Sequence, residues 1–506
     1  MLSAPDWYFR KASSVDQPVK LARDIGAPEL SAVDVPLVVD VDGTLIRTDI
    51  LHESALKLAS TRPFEALRIP LWLMRGKSVL KTEIAARVDL DIDTLPIDPD
   101  VLAFLEAEKA RGRMIVLASA SSQKFVEALA EHLGFVDRVL GTSASTNLSR
   151  EKKRDALVEA FGEGGFDYIG NSDDDVPAWR AARRRYIVRG PLAPGLDVLK
   201  DGEPLELIAE HRVTLRTVVK ALRLHQWAKN ALLFVPIILG GAIDDGNAIV
   251  RTIAAFVGFG LLASATYLVN DLIDIPNDRK HWSKRNRPFA SGKLPISWGI
   301  ALVALGSFAG LGIGALLGLP AFLGLLGYAA LTLAYSFRLK RVPILDASLL
   351  AGLYTWRLFV GVLVAGVALS PWLLVFSFAF FQSLSLAKRH TEITRMIATG
   401  KTSLAGRGYR TEDGPFIMSM GVASGISSVL IFVLYLIEGA FRAAYFTWPQ
   451  ALWACPVILM LWLCRVWLLC GRGELHDDPV EFAIRDRKSL ILGTVAAGAV
   501  AASLVL

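Results

Sequence analysis

Apolar and polar positions divide the chain into two halves. In the N-terminal part the apolar runs are short, as at 36–39 and 114–118, and charged segments with helical spacing separate them. That alternation predicts short buried strands with helices between them. Beyond residue 230 the uncharged runs lengthen: 252–270, 296–318, 319–337, 370–387, 415–437, 446–464 and 489–506. Each is long enough to cross a hydrocarbon layer of ~30 Å as a helix. Two weaker stretches, the short 230–243 and 344–366 with its internal Asp346 and Arg357, bring the expected number of spans to nine. Between the halves, Arg212, Arg216, Lys220 and Arg223 recur at helical spacing with Val219, Leu222 and Leu224 among their apolar partners. This cationic amphipathic helix is expected to lie in a membrane interface. The expected organisation is a soluble domain over 1–205, an interfacial linker helix over 206–229 and an all-α membrane domain over 230–506.

Composition agrees. A chain of 506 residues exceeds what one core usually fills, and 53% apolar with 21% charged residues excludes a disordered chain. The mean hydropathy of +0.42 is high for a soluble protein. The net charge of +6 acquires meaning from its location. Loops on one side of the spans carry Arg279, Lys280, Lys284, Arg285, Arg287, Lys293, Arg338, Lys340, Arg341, Lys388, Arg389, Arg395, Arg407 and Arg410, whereas those on the other carry only Arg251 and Arg442. The positive-inside rule then places the N-terminal domain in the cytoplasm and the C-terminus outside, in a multi-pass inner-membrane protein. The basic excess becomes a membrane face in contact with lipid, and nucleic acid is excluded as a partner. Cys455, Cys464 and Cys470 fall in one apolar stretch, which argues against a disulfide framework or zinc site. Residues 1–20 lack the apolar core of a signal peptide. Both a monomer and a homo-oligomer are open.

Candidate chemistry in the soluble half begins with Pro36-Leu-Val-Val-Asp-Val-Asp-Gly-Thr44, a buried strand ending in two carboxylates and a glycine turn. Such a pair suits one carboxylate as nucleophile and one as acid/base, with a cation offsetting their repulsion. The motif resembles that of the haloacid dehalogenase superfamily of phosphohydrolases, as do Ile115-Val-Leu-Ala-Ser119, Lys153-Arg-Asp-Ala-Leu157 and Tyr168-Ile-Gly-Asn-Ser-Asp-Asp-Asp-Val-Pro177 in the same order. The resemblance implies an α/β Rossmann-like fold with a small helical cap over about 50–95, Asp40 as nucleophile, Asp42 as acid/base, and Ser119 and Lys153 on the phosphoryl group, with Lys152 as rival. It further implies Mg²⁺ on Asp40, Asp42, Asn171 and Asp175. Asn171 stands where the family has Asp, removing one negative charge from the metal set, for which Asp173 or Asp174 is a candidate substitute. The cap residues Trp72, Leu73, Met74, Arg75, Lys77 and Lys81 suit a phosphorylated lipid.

In the membrane half, Asn270-Asp-Leu-Ile-Asp-Ile-Pro-Asn-Asp278 lies at the end of an expected span. On a helix Asp271, Asp274 and Asp278 share one face, and three converging carboxylates call for a divalent cation with hard-ligand preference, Mg²⁺. Pro276 makes that spacing approximate. The motif resembles the first aspartate motif of the UbiA superfamily of intramembrane prenyltransferases, whose fold has nine transmembrane helices. Where aromatic prenyltransferases of that family carry a second acidic motif, this chain has Tyr335, Lys340 and a single Asp346. With Arg223-Leu-His-Gln-Trp-Ala-Lys-Asn230 and Asn286-Arg-Pro288, it resembles the branch acting on polyprenyl phosphate and phosphoribosyl diphosphate, apart from Leu224 at an expected proline.

That branch implies a bifunctional enzyme. One site would transfer 5-phosphoribose from phosphoribosyl diphosphate to a polyprenyl (decaprenyl-like) phosphate, and the other would remove the 5-phosphate, leaving a sugar donor for cell-envelope glycans. The transfer site would use Asp271, Asp274 and Asp278 with Mg²⁺. Three phosphate groups require many cations, for which Lys284, Arg287, Lys340, Lys388, Arg389, Arg407 and Arg410 are candidates. Asn270, Tyr335, Asp346 and Arg357 complete the expected substrate-binding set, with Arg357 either a phosphate ligand or part of an ion pair, three helical turns from Asp346. The alternatives are isoprenyl transfer to an aromatic acceptor and a non-catalytic soluble domain.

Overall fold

A computed structural model describes residues 35–143, 147–190, 205–282, 284–398, 407–443, 445–475 and 479–505. The signal-peptide assessment at 1–20 lies outside them. In the N-terminal domain β1 (Leu37–Val39) is followed by the cap helices α1 (Ile50–Thr61), α2 (Pro63–Ala66), α3 (Ile69–Met74) and α4 (Lys77–Ala85). Then come α5 (Pro99–Ala110), β2 (Ile115–Ser122), α6 (Gln123–Leu133), β3 (Arg138–Thr142), α7 (Glu151–Phe161), β4 (Asp167–Gly170), α8 (Val176–Ala181), β5 (Arg185–Arg189) and β6 (Glu206–Glu210). The strands form one parallel sheet in the order β3-β2-β1-β4-β5-β6. Successive side chains of a strand point to opposite faces. Accordingly Leu37 and Val39 enter one core with Ile115, Leu117 and Ile169, and Val38 enters the other with Val116, Tyr168 and Ile187. All three β1 side chains are fully buried, each contributing roughly 1.5–3 kcal/mol. The chain order reverses on either side of β1, so a crevice opens at the carboxyl ends of β1 and β4, where Asp40 and Asn171 follow the strands.

Strand β6 lies inside the stretch expected to be linker. Its Glu206 and Glu210 read as polar chain, yet charged side chains are usual on an edge strand. The helical part of the linker shrinks to α9 (Leu215–Leu222), capped by the Thr214 hydroxyl accepting from Thr217 N–H.

The membrane domain continues with α10 (Val235–Leu239), α11 (Gly246–Ile273), α12 (Ile275–Lys280), α13 (Ile296–Leu317), α14 (Leu319–Phe337), α15 (Leu345–Ala365), α16 (Pro371–Ala398), α17 (Gly414–Glu438), α18 (Ala454–Gly471), α19 (Pro479–Arg485) and α20 (Arg487–Val505). Among the described residues eight helices are long and apolar enough to cross a membrane, not nine. The expected span over 230–243 is instead the end of a 3₁₀-helix, Leu224–Phe234, joined to the five-residue α10. The 3₁₀ rise of ~2.0 Å per residue stretches this segment to about 30 Å, similar to a full helix with fewer residues. Glycines seat it: a Cβ on Gly260 of α11 would meet Trp227 at 2.6 Å, and one on Gly361 of α15 would meet the Leu233 carbonyl at 2.5 Å. Helices α11 and α13 use the same device, with a Cβ on Gly310 falling 2.7 Å from the Gly258 carbonyl. Arg251 donates to the carbonyls of Leu317 and Val364, satisfying two helix C-termini at the end of the bundle away from the aspartates.

The two domains touch. Glu53 of α1 accepts from both terminal nitrogens of Arg279, at 2.6 and 3.3 Å, and both side chains are buried. Leu56 packs into a cluster of Ala221, Leu268, Leu272, Ile275, Phe289, Leu294 and Ile296. Gly292, at φ +69, lies so close to the loop after β1 that a Cβ would meet Arg47 at 2.6 Å.

Candidate active sites

The first site sits where β1 and β4 end. Lys153, from the first turn of α7, is buried and donates to Asp40 Oδ1 at 2.8 Å, Tyr168 Oη at 2.9 Å and Asp175 Oδ1 at 3.1 Å. Its neighbour Lys152 is exposed, so the rival is set aside. Thr44 Oγ1 donates to the other oxygen of Asp40. Asp42 accepts from Ile50 N–H at 2.7 Å, Ser119 Oγ at 3.0 Å and Ser121 Oγ at 2.7 Å. The Ser119 hydroxyl, expected on the phosphoryl group, here donates to Asp42.

Burial pushes the Asp40 carboxyl up to about 7; Lys153 pulls it down, while Asp175 and Asp42 push further. Burial also lifts Asp42 to about 6, with Asp49 adding to it. Lys153 stays charged despite burial, because Asp175 and Asp40 hold its ammonium well above its ordinary value. A buried and a half-buried carboxyl raised into the neutral range, beside one fixed cation, form a pair suited to nucleophile and proton donor.

The expected metal set is narrower here. Asp175 Oδ1 takes Lys153 and Tyr168, and Oδ2 takes the N–H groups of Asn171 and Ser172 and the Ser172 hydroxyl. Its acceptor capacity is used within the loop that it shapes. Asp173 and Asp174 are exposed, the latter paired with Arg150, so neither substitutes for the missing carboxylate. Asn171 does reach the site: its amide lies 2.2 Å from where a Cβ on Gly43 would stand, at a φ of +77 that favours glycine. Among the described residues no group of three His, Cys, Asp or Glu is placed to hold a metal ion. Acceptor capacity for Mg²⁺ remains on Asp40, which accepts two hydrogen bonds, on Asp42, which accepts three, and on Asn171. From the cap, Lys81 Nζ donates to the Ala120 carbonyl at 2.6 Å and Asn147 Oδ1 at 3.1 Å, which the sequence did not signal beyond its basic character.

The second site is a cavity of about 470 Å³ inside the helical bundle, lined by Asn270, Asp274, Lys284, Arg287, Tyr335, Lys340, Arg357, Lys388 and Arg407 of the expected residues. Arg223, Gln226, Lys229, Tyr267, Tyr328, Tyr354 and Glu392 line it too. Arg223, Gln226 and Lys229 belong to the Arg223–Asn230 motif, the sequence signal that marked them. Eight Lys and Arg side chains thus face two carboxylates, Asp274 and Glu392. Asp271 and Asp278 lie behind this wall. Arg223 Nε donates to Asp271 at 3.2 Å, and one nitrogen of Arg287 donates to both Asp271 at 3.1 Å and Asp278 at 2.6 Å. Lys340 Nζ is 3.3 Å from both oxygens of Asp274, which also accepts from the Asn270 amide. The mutual repulsion expected of the three carboxylates is offset by these three cations. The break between α11 and α12 at Asp274, just before Pro276, turns Asp274 toward Lys340.

Three expected substrate residues are not brought to the cavity wall. Asp346 and Arg389 are fully buried against each other at 2.7 Å, a contact close but not aligned as a hydrogen bond. Tyr409 donates to Asp346 and accepts from Ile344 N–H, bracing a tight turn at φ +67, ψ −51 that Leu345 N–H closes on the Pro343 carbonyl. This is a strained conformation for a β-branched residue, and the buried pair holds it. Arg410 is exposed beside that turn. Arg357 does not pair with Asp346. It donates to Asn230 Oδ1, the Leu353 carbonyl and Tyr328 Oη, all neutral, and stands 5.1–5.4 Å from the ring centres of Phe259, Tyr328 and Tyr354. A buried guanidinium with neutral partners at a cavity wall suits an anionic ligand.

Comparison with known proteins locates both sites in families. The UbiA prenyltransferase family model matches residues 233–483, and the haloacid dehalogenase-like hydrolase model matches residues 37–180. A decaprenyl-phosphate phosphoribosyltransferase of Mycobacterium tuberculosis is 30% identical over 282 residues, covering 53% of this chain and 88% of that protein. The chain belongs to the UbiA prenyltransferase family. Its UbiA domain is preceded by a haloacid dehalogenase-like hydrolase domain, and the likeness to an uncharacterized protein of Sinorhizobium fredii, y4nM, takes in both: 38% identity over 468 residues, 92% of this chain and 90% of that protein. Among solved structures, a UbiA homolog from Archaeoglobus fulgidus bound to GPP and Mg²⁺ is 14% identical, with a TM-score of 0.44, covering 57% of this chain and 98% of that one.

Proposed function

We propose that the UbiA domain transfers 5-phosphoribose from phosphoribosyl diphosphate to a polyprenyl phosphate such as decaprenyl phosphate. The hydrolase-like domain then removes the 5-phosphate, leaving polyprenyl-phosphoryl ribose. The observation that carries this reading is the charge of the cavity, eight cations against two carboxylates. An isoprenyl diphosphate and a neutral aromatic acceptor bring one diphosphate; the proposed substrates bring a diphosphate, a 5-phosphate and the acceptor's phosphate. The phosphoribosyltransferases among the relatives support the same substrates.

In the transfer step the acceptor's phosphate oxygen attacks ribose C1 while the bond from C1 to the diphosphate oxygen breaks, and the diphosphate leaves with the electron pair. No protein nucleophile is needed. Arg223, Arg287 and Lys340 reach both the carboxylates and the cavity, so they bind diphosphate oxygens, and Arg357 and Lys388 hold the remaining phosphates in line. Hard carboxylate oxygens suit Mg²⁺, and Asp271 and Asp278 lie close enough together to share the Arg287 guanidinium, although with Asp274 they form no ready-made three-carboxylate cluster among the described residues. Asp271, Asp274 and Asp278 would hold it, and it would supply neutralisation of the leaving group's charge. In the hydrolase-like domain Asp40 attacks phosphorus, Asp42 gives its proton to the leaving ribose oxygen, and Asp42 then takes a proton from the water that opens the aspartyl phosphate. Lys153 pairs with the phosphoryl charge, and Asp40 with Asn171 would hold Mg²⁺ there. The excess of basic residues in the loops beside both sites supports a cytoplasmic orientation at the inner membrane.

The test supplies membranes carrying the full chain with radiolabelled phosphoribosyl diphosphate and polyprenyl phosphate, and in parallel with labelled isoprenyl diphosphate and a neutral aromatic acceptor. Label enters the lipid fraction in the first arm alone. Consumption of isoprenyl diphosphate with no use of phosphoribosyl diphosphate refutes the reading.

A further inference from the structure

The cap carries an apolar surface that neither active site uses. Phe64 is 86% exposed, Leu67 76% and Met74 85%, with Leu71 and Leu73 half exposed, on the short helices α2 and α3 and the link between them. Exposed Arg62, Arg68, Arg75 and Lys77 flank them, and the only acid there, Glu65, is already paired with Arg62 and Arg87. Trp72 is the exception: it is buried, with the Arg87 guanidinium 4.7 Å from its ring centre, and fastens the hairpin to the rest of the cap. Large apolar side chains flanked by a net excess of basic charge are the chemistry of an anionic bilayer surface.

The placement agrees. The hairpin begins one residue after α1, whose Leu56 is inserted into the apolar cluster at the aspartate end of the membrane bundle. Val218 and Leu222 of α9 pack on that same cluster, and α9 likewise leaves Leu215 80% exposed among exposed Arg212, Arg216 and Lys220. The cap hairpin and α9 therefore continue one interface around the rim where the bundle's apolar spans end.

We propose that α2 and α3 insert into the interfacial layer of the membrane that the chain spans, with Phe64, Leu67 and Met74 among the acyl chains and Arg68, Arg75 and Lys77 among anionic headgroups. The hydrolase-like domain is then held to the bilayer by its cap as well as by its tether. This inference stands independently of the substrates assigned to either site.

The test uses the full chain with Cys464→Ser, which leaves the buried Cys455 and Cys470, and a single cysteine at Phe64, Met74 or, as control, the exposed Glu106. Each is labelled with a polarity-sensitive fluorophore in nanodiscs of phosphatidylcholine and phosphatidylglycerol, with and without lipids brominated high on the acyl chain. Labels at 64 and 74 should emit blue-shifted and lose most of their intensity to bromolipid, and the label at 106 should do neither. Emission at 64 and 74 matching that at 106 overturns the proposal. So does a blue shift without bromolipid quenching, which would mean that protein, such as a second copy of the chain, covers the surface.

Discussion

Replacing Glu53 by alanine tests whether the hydrolase-like domain is bolted to the UbiA domain. The Glu53 carboxylate takes hydrogen bonds from Arg279 at 2.6 and 3.3 Å and from Thr48 Oγ1 at 2.7 Å, and the side chains of Glu53 and Arg279 are 5% and 6% exposed. Removing one member of a buried pair strands the other charge, at a cost of about 3–5 kcal/mol. If docking opens without global unfolding, amide-exchange protection at the interface falls by about 10²–10⁴-fold. The assay is hydrogen–deuterium exchange of the full chain in nanodiscs, read on peptides covering α1 and the loop from Arg279 to Leu294. Glu53→Gln keeps an acceptor and should lose less, about 1.5–3 kcal/mol. Glu53→Ala combined with Arg279→Met removes the stranded charge and should lose less than the sum of the two single changes. Unchanged protection in Glu53→Ala, or strict additivity in the double variant, refutes the claim that this pair holds the domains together.

Lys153→Ala removes the cation between Asp40 and Asp175 and should lower phosphatase turnover by about 10²–10³-fold while leaving transfer intact, seen as retained 5-phosphate on the product lipid. Arg357→Lys keeps the charge but loses the fork to Asn230, Leu353 and Tyr328; KM for phosphoribosyl diphosphate should rise about 10-fold or more. Asp98→Ala should destabilise the hydrolase-like domain by about 2–4 kcal/mol, because Asp98 caps α5 and accepts from Arg47, read as a lower melting temperature. Burial opposes ionisation of Asp98, yet His211 and Arg47 hold its carboxyl well below the usual range. The stabilisation is therefore complete above ~pH 4 and is lost as pH falls toward the folded-state value, so wild type and Asp98→Ala should converge in stability in acid.

The sequence announces the parts of both sites that local chemistry dictates. A β1 of three apolar residues followed by Asp40 and Asp42 places two carboxylates at a strand end, and seven long uncharged runs together with the charged stretch over 344–366 mark the eight spans. Length alone misjudges 230–243, because the segment is carried by a 3₁₀-helix that begins upstream at Leu224 and packs closely on Gly260 and Gly361 of neighbouring helices. Strand β6 is hidden by its glutamates, which suit an edge. The pairing of Asp346 was equally illegible: Arg357 is near in sequence and Arg389 distant, yet Arg389 on α16 packs against it. Ser119 shows the same limit, since only the fold reveals that Asp42 lies within reach of its hydroxyl.

The most direct measurement is transfer of labelled 5-phosphoribose to polyprenyl phosphate by folded, membrane-inserted Asp271→Ala/Asp274→Ala protein beside wild type. Removing carboxylates that would hold the leaving group's counter-ion should cut lipid labelling by about 100-fold or more. Labelling by the double variant at the wild-type rate would contradict the account.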